Sequence, residues 1–473
     1  MSRARAAWVA LVVVAGAIAA LAIARWAWAV TLGGPVLYGE GAVAHAALLS
    51  RDGLQYTTGA AVLDATLRPI FTAANYPPLY FRVAGLGDPF VVGRIASIAS
   101  TLFVAAAIAW RARAQGALVA IAVAAAWLAT VPVVVWGAAV KPDLVALALT
   151  VAGVVSLSSS HRRPLVAGIL LAAAVWAKPT AALPALALAI WCVRADRAMA
   201  VRYLAGGIAG LVGASVLLMG PTWPVVGGKA FRLHVIDWNA LPWDPAQAGL
   251  LALVAVVTVS GLGIPLLARL TRGPAAAYAV GAIAVMLLGG REGATINYLL
   301  DLSAAAALVL ADALPRIRER AEFPAGLAVQ LLIAIALFDP FGVVPGRGGG
   351  TGAWGDPSRV DVVRTLPTGP ALVEDSGLLI AAGSEPIADD LFLWSRIYAV
   401  ANDGGGSFDE GPRLVTAVRE RRFASVVSEV DLERVDRAPA YERARWHPYL
   451  VSAVLDGYVL DRKAGALWVY RPR

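Results

Sequence analysis

The sequence predicts an α-helical polytopic membrane protein, a bundle of about eleven transmembrane helices followed by a small soluble α/β domain. Three observations predict it. Of 473 residues, 59% are hydrophobic and 15% charged, with a mean hydropathy of +0.69, whereas soluble domains are roughly half apolar and a quarter charged. The apolar residues gather in runs near the roughly 20 residues that cross a hydrocarbon core of about 30 Å. Arginines cluster in alternate connections between those runs.

The first run, Ala6 to Val30, follows Arg3 and Arg5. It reads as an uncleaved signal anchor, because it is longer than a leader's apolar region and ends in Trp26 and Trp28, as an interfacial belt would. Further runs fall at about 89–110, 117–138, 143–158, 165–177, 180–193, 203–221, 247–268, 274–289, 298–314 and 324–341. The pair around 177–180 reads as two short helices or one broken helix.

Placing the N-terminus in the cytoplasm puts fourteen arginines on that side: Arg3 and Arg5, then Arg111 and Arg113, Arg162 and Arg163, Arg194, Arg197 and Arg202, Arg269 and Arg272, and Arg316, Arg318 and Arg320. The opposite connections hold mainly single basic residues, Lys141, Lys178, Lys229, Arg232 and Arg291. This alternation follows the positive-inside bias of multi-pass proteins and sends the C-terminal domain outside. The net charge of +8 is therefore read as topology, and no nucleic-acid partner is expected. Cys192 is the single cysteine, which excludes an internal disulfide.

Residues 1–342 form the expected bundle, with two long outer loops at 31–88 and 221–247. Residues 343–360 are a Gly-rich linker, and 361–473 change to a soluble α/β pattern. In that tail, 371–374 and 423–427 read as strands around a helix at 413–421, and 458–460 with 467–470 as a hairpin turning at Lys463-Ala464-Gly465.

Chemistry-bearing residues concentrate on the outer side. Glu40 opens a helix-like stretch from Gly39 to Leu49, where the helix dipole favours a carboxylate; Asp52 and Asp64 follow, then Asn75-Tyr76-Pro77-Pro78-Leu79-Tyr80. Lys141, Lys178 and Arg291 stand at three further outer turns. One basic residue at a helix end is ordinary anchoring; three on the side that topology keeps poor in charge fit an anionic phosphate ligand. His45 and His234 lack neighbours at metal-ligand spacing. Glu374-Asp375 and Asp389-Asp390 read as solvated turn acids, and Tyr38, Tyr80 and Trp223 as ring-stacking candidates or belt aromatics.

The first-loop acid, the Tyr-Pro-Pro-Leu box, the outer Lys-Pro turns and the C-terminal outer domain together resemble the GT-C superfamily of membrane glycosyltransferases. The likeness is nearest to bacterial members related to protein O-mannosyltransferases and the aminoarabinose transferase of lipid A. It implies a GT-C-like bundle that moves a sugar from a polyprenyl-phosphate donor to a cell-envelope glycan, lipid or protein acceptor, outside a bacterial plasma membrane and usually with inversion. It implies Glu40 as the catalytic acid of the first loop. Lys141, Lys178 and Arg291 are the expected phosphate ligands, and Asp52, Asn75, Tyr76, Asp143, Glu292 and Tyr298 the expected substrate contacts. The sequence departs from the family at two places: Gly39 precedes Glu40 where an Asp-Glu pair is usual, and Asn75-Tyr76 replaces Glu-Lys. No cofactor is expected, and a divalent metal is left open. The alternatives are a transporter or flippase of lipid-linked sugars and a catalytically inactive scaffold; few charges fall inside the runs, Arg94 the most conspicuous, which disfavours transport.

Overall fold

A computed structural model describes residues 2–56, 70–158, 162–220, 228–268, 273–343, 355–403 and 408–473. Asp64, Trp223, Arg269, Arg272 and most of the Gly-rich segment lie outside the described residues. Each of the eleven apolar runs holds a helix, and five of these helices are long and apolar enough to cross a membrane by themselves. The chain is a multi-pass membrane protein.

Local sequence explains where the helices begin and break. The Pro89–Ala112 helix starts on Pro89, with the Asp88 carboxylate capping the Phe90 and Val91 N–H groups at 2.9 and 3.0 Å. The 117–138 run, expected as one helix, is two, Ala117–Leu128 and Val131–Trp136. Thr130 is extended there and Pro132 lacks the N–H that an unbroken helix would need. The 165–193 region is likewise two helices, Pro164–Ala177 and Ala182–Ala195, of 14 residues each. Each rises about 21 Å, short of the hydrocarbon thickness.

Small residues let the helices approach. The Pro164–Ala177 and Arg197–Met219 helices touch backbone to backbone at Gly168 and Gly206, where an added Cβ would lie 2.1 Å from Tyr203 O and from Leu165 O respectively. Such contacts replace the hydrophobic drive that lipid cannot supply. The far side of Arg197–Met219 exposes Val201, Ile208, Val212 and Leu217, as a lipid-facing surface does.

Among the described residues, three of the basic connections lie together. Arg111 pairs with Asp312 and donates to Ser158 O, while Arg318 reaches Gln115. Charged groups within the runs are bonded at several places among the described residues. Arg25 donates to Val134 O and Pro340 O, and the Tyr278 hydroxyl donates to Asp301 at 2.9 Å.

The C-terminal domain is a four-stranded mixed sheet in the order β1-β2-β4-β3, with β1 at Ala371–Val373, β2 at Ser425–Ser428, β3 at Tyr458–Ala464 and β4 at Leu467–Pro472. β1 and β2 run parallel across the Glu410–Arg419 helix, and β3 and β4 form the expected hairpin. Gly465 turns it at φ 60°.

Domain and bundle share a core. Ile70, Phe71 and Trp238 from the two long loops pack with Leu391, Trp394 and Phe408 of the domain. Ile70 donates to Ile387 O at 2.8 Å and Asp389 donates back to Phe71 O at 3.2 Å. At the helix Glu40–Leu49, a Cβ on Gly41 would lie 2.2 Å from the Gly377 nitrogen, so only glycine admits this contact.

The tail acids expected in water are buried, apart from Asp390, which is half-buried. Glu374, Asp375 and Asp389 are 1%, 2% and 2% exposed. Glu374 accepts from Arg445, Trp446 Nε1, Ser428 Oγ and the Glu429 N–H. Asp375 caps Gly377 and pairs with Arg359, yet burial pushes its carboxyl up to about 7. Asp389 is buried against the loops through His45 and Ala73, whereas Glu374 and Asp375 are bonded by the domain's own groups.

Candidate active site

A cavity of about 110 Å³ lies where the domain covers the bundle. Lys141, Lys178 and Arg291 all line it, with Asn75, Tyr76, Glu292 and Tyr298. Seven of the ten expected site residues thus come together. The domain adds Asp390, Phe392 and Tyr441 from above.

Each cation is placed by its local backbone. Lys141 follows the short Val131–Trp136 helix, and its Nζ donates to Gly39 O at 2.6 Å. Gly39 makes this possible with φ 78°, a conformation that costs other residues free energy. Lys178 is held extended at φ −148° and ψ 123°, as the following Pro179 requires. Its Nζ meets Asp143 Oδ1 at 2.6 Å and lies 4.8 Å from the centre of the Tyr298 ring. Arg291 donates to Asn239 O and to the Tyr298 hydroxyl, both at 2.9 Å. Tyr298 therefore ties Lys178 to Arg291.

Asp143 does not line the cavity. It stands behind, where Oδ1 also accepts from Asn297 Nδ2 at 2.7 Å, and it orients the lysine rather than meeting a ligand. Glu292 lines the cavity but is bound at 2.8 Å by Arg396 of the domain. Burial pulls the Lys141 ammonium below its ordinary value, and among the opposing charges Asp390 acts on it most strongly.

Two expected site residues lie elsewhere. Glu40 is fully buried, and Oε2 accepts from Arg94 at 2.8 Å and from the Val36 N–H at 2.8 Å, while Oε1 accepts from the Val140 N–H at 2.9 Å. Glu40 does not line the cavity, and its carboxylate is spent on these three donors. The first-turn acid that the sequence offered as a proton acceptor is the partner of the conspicuous membrane arginine. Asp52 lines a separate cleft with His45 and Glu385. Tyr80 is also core, donating to Gly93 O, whereas Tyr38 lines the cavity.

Sequence reasoning missed Asn239, Asn297, Phe392 and Tyr441 and placed Asp390 in solvent. The only local signal for Asp390 was its place before the apolar helix Leu391–Asn402, a helix-cap signature, and it does cap Leu393 N at 3.0 Å. Among the described residues no three His, Cys, Asp or Glu side chains gather as metal ligands would.

The seam carries one pH-sensitive pair. His45 Nδ1 meets Asp389 Oδ2 at 2.9 Å. Burial alone would lower the imidazole pKa, but Asp389 and the nearby Glu385 raise it to about 9. Because the folded value lies above the unfolded value of about 6.5, the stabilisation is complete below that pH and fades as pH rises through about 9. Melting temperatures measured from pH 6 to 10 are expected to show this loss in the wild type and not in His45→Gln. Parallel curves for the two proteins would contradict it.

No protein-family model matches the chain, and no curated protein matches it. Among solved structures, ArnT from Cupriavidus metallidurans bound to undecaprenyl phosphate is similar, with a TM-score of 0.59 at 16% identity over 96% of this chain and 97% of that one. The apo state of ArnT gives 0.56 at 15% identity, covering 96% of each chain. The likeness is one of fold and spans bundle and C-terminal domain together, so the chain has the GT-C fold that its sequence resembles.

Proposed function

We propose that this protein moves a sugar from a polyprenyl-phosphate donor to a hydroxyl of a cell-envelope acceptor, with inversion, on the outer face of a bacterial plasma membrane. The observation that carries the reading is the meeting of Lys141, Lys178 and Arg291, from three separate connections, at one cavity. When the sugar carbon leaves phosphate, negative charge grows on the phosphate oxygens, and preorganised cations stabilise that growth more than the bound donor. Arginine adds directional donors and the lysines add point charge.

The cavity's size agrees. At about 110 Å³ it has room for a phosphoryl group but not for a prenyl chain. The chain would run along the lipid-facing bundle, as suits a donor delivered from the membrane. ArnT, with the same fold, has been captured with undecaprenyl phosphate. In this reading the N-terminus is cytoplasmic and the domain covers the cavity from outside.

A transporter would gather ionisable groups near the bilayer midplane around a path through the bundle. Arg25, Arg94 and Asp301 are instead each bonded to neighbours. The test is transfer itself. Purified protein in lipid nanodiscs is supplied with polyprenyl phosphates carrying radiolabelled hexoses or pentoses and with an envelope extract. Label leaving the polyprenyl-phosphate donor together with equimolar release of polyprenyl phosphate supports the enzyme; label remaining on the donor in every case supports an inactive scaffold.

A further inference from the structure

Building on the sugar-transfer reading, we infer that Asp390, carried by the C-terminal domain, is the general base that takes the proton of the acceptor hydroxyl. Two carboxylates line the cavity among the described residues, Glu292 and Asp390. Glu292 is held by Arg396. Asp390 enters no ion pair within 4 Å among the described residues, and the Tyr38 hydroxyl at 3.3 Å and the Leu393 N–H at 3.0 Å both donate to Oδ1. That leaves Oδ2 to accept a further donor. Glu40 lies off the cavity, its carboxylate held by three donors from Arg94, Val36 and Val140.

The carboxylate is fixed as a base should be. Leu393 N caps it from its own helix, and Tyr38 fixes it from the bundle. Tyr38 is itself held, because its hydroxyl accepts from Phe392 N at 3.0 Å and the Arg445 guanidinium lies 3.9 Å from its ring centre. Burial raises the Asp390 carboxyl above its ordinary range, which brings its basicity nearer to that of a working proton acceptor. Lys141, on which Asp390 exerts the largest opposing charge effect, stands across the same cavity to receive the leaving phosphate.

The step balances. The acceptor oxygen forms a bond to the anomeric carbon as the bond from that carbon to the phosphate oxygen breaks. The electron pair of the broken bond stays on polyprenyl phosphate, opposite Lys141, Lys178 and Arg291. The hydroxyl proton passes to Asp390 Oδ2 and then to solvent. The base comes from the domain and the cations from the bundle, so the site is complete only when the two are docked.

The experiment compares wild type, Asp390→Asn and Asp390→Glu in nanodiscs, using the donor that wild type accepts. Asparagine keeps the Oδ1 acceptor and hence the helix cap, so melting temperature and polyprenyl-phosphate affinity are expected to stay near wild type. Transfer is expected to fall by about 10²- to 10⁴-fold, the acidic limb of the rate profile to vanish, and glutamate to restore part of the rate. An Asp390→Asn protein that transfers at the wild-type rate with an unchanged profile overturns the assignment while the transferase reading stands. A wild type that releases no polyprenyl phosphate from any donor overturns both.

Discussion

Replacing Lys141 with methionine is expected to slow sugar transfer by about 10²- to 10³-fold, the usual loss when one preorganised donor to a developing charge is removed, while melting is unchanged. Its Nζ contacts a backbone carbonyl, Gly39 O, and among the described residues it is in no ion pair with a carboxylate, so no charge is stranded there by the change. Lys178→Met behaves differently. It slows transfer to a similar degree but also leaves Asp143, 4% exposed, without its cation. Breaking a buried pair from one side costs about 3–5 kcal/mol. Adding Asp143→Asn removes the stranded charge, so the double variant should regain melting temperature and remain slow. Transfer assays and melting curves on the three proteins separate the two effects. Wild-type transfer by Lys141→Met would remove that lysine from the chemistry.

Glu40→Gln is expected to cost stability first. Arg94 and Glu40 are both fully buried at 2.8 Å. With a neutral partner the arginine keeps Ala29 O and Gly34 O but loses its counter-charge, a change worth about 3–5 kcal/mol. The glutamate also accepts Val140 N and so locks the turn that delivers Lys141. A second change, Arg94→Met, removes the unpaired cation and should recover most of the melting temperature. Should Glu40→Gln melt as wild type does and yet transfer a hundredfold more slowly, Glu40 would be a reacting group and not a clamp.

These two residues show what the sequence could and could not convey. Helix positions were legible because run length and flanking arginines are local properties, and the strands of the tail were legible for the same reason. Proline chemistry accounts for the extra break at Thr130 and for the extended Lys178, and Pro132 and Pro179 were there to be read. Glu40 was noticed as an acid and Arg94 as an intramembrane charge, but their pairing spans 54 residues and no local pattern reports it. Asp390 was harder still. Its bond to Tyr38 joins positions 352 residues apart, and from its neighbours alone a helix-capping aspartate belongs in water. Its half-buried place at the cavity follows from Phe71 and Trp238 forming one core with the domain, a tertiary fact that no local pattern reports. The cation set, by contrast, was found by an anomaly of topology: basic residues on the side where they are normally scarce.

The most direct test of the cationic cavity is equilibrium binding of polyprenyl phosphate, without sugar, to wild type and to Lys141→Met/Arg291→Met in nanodiscs. The account predicts binding that weakens at least tenfold in the double variant, and no comparable affinity of wild type for a polyprenol lacking phosphate. Equal binding by both proteins, or equal binding of the alcohol and the phosphate, would contradict it.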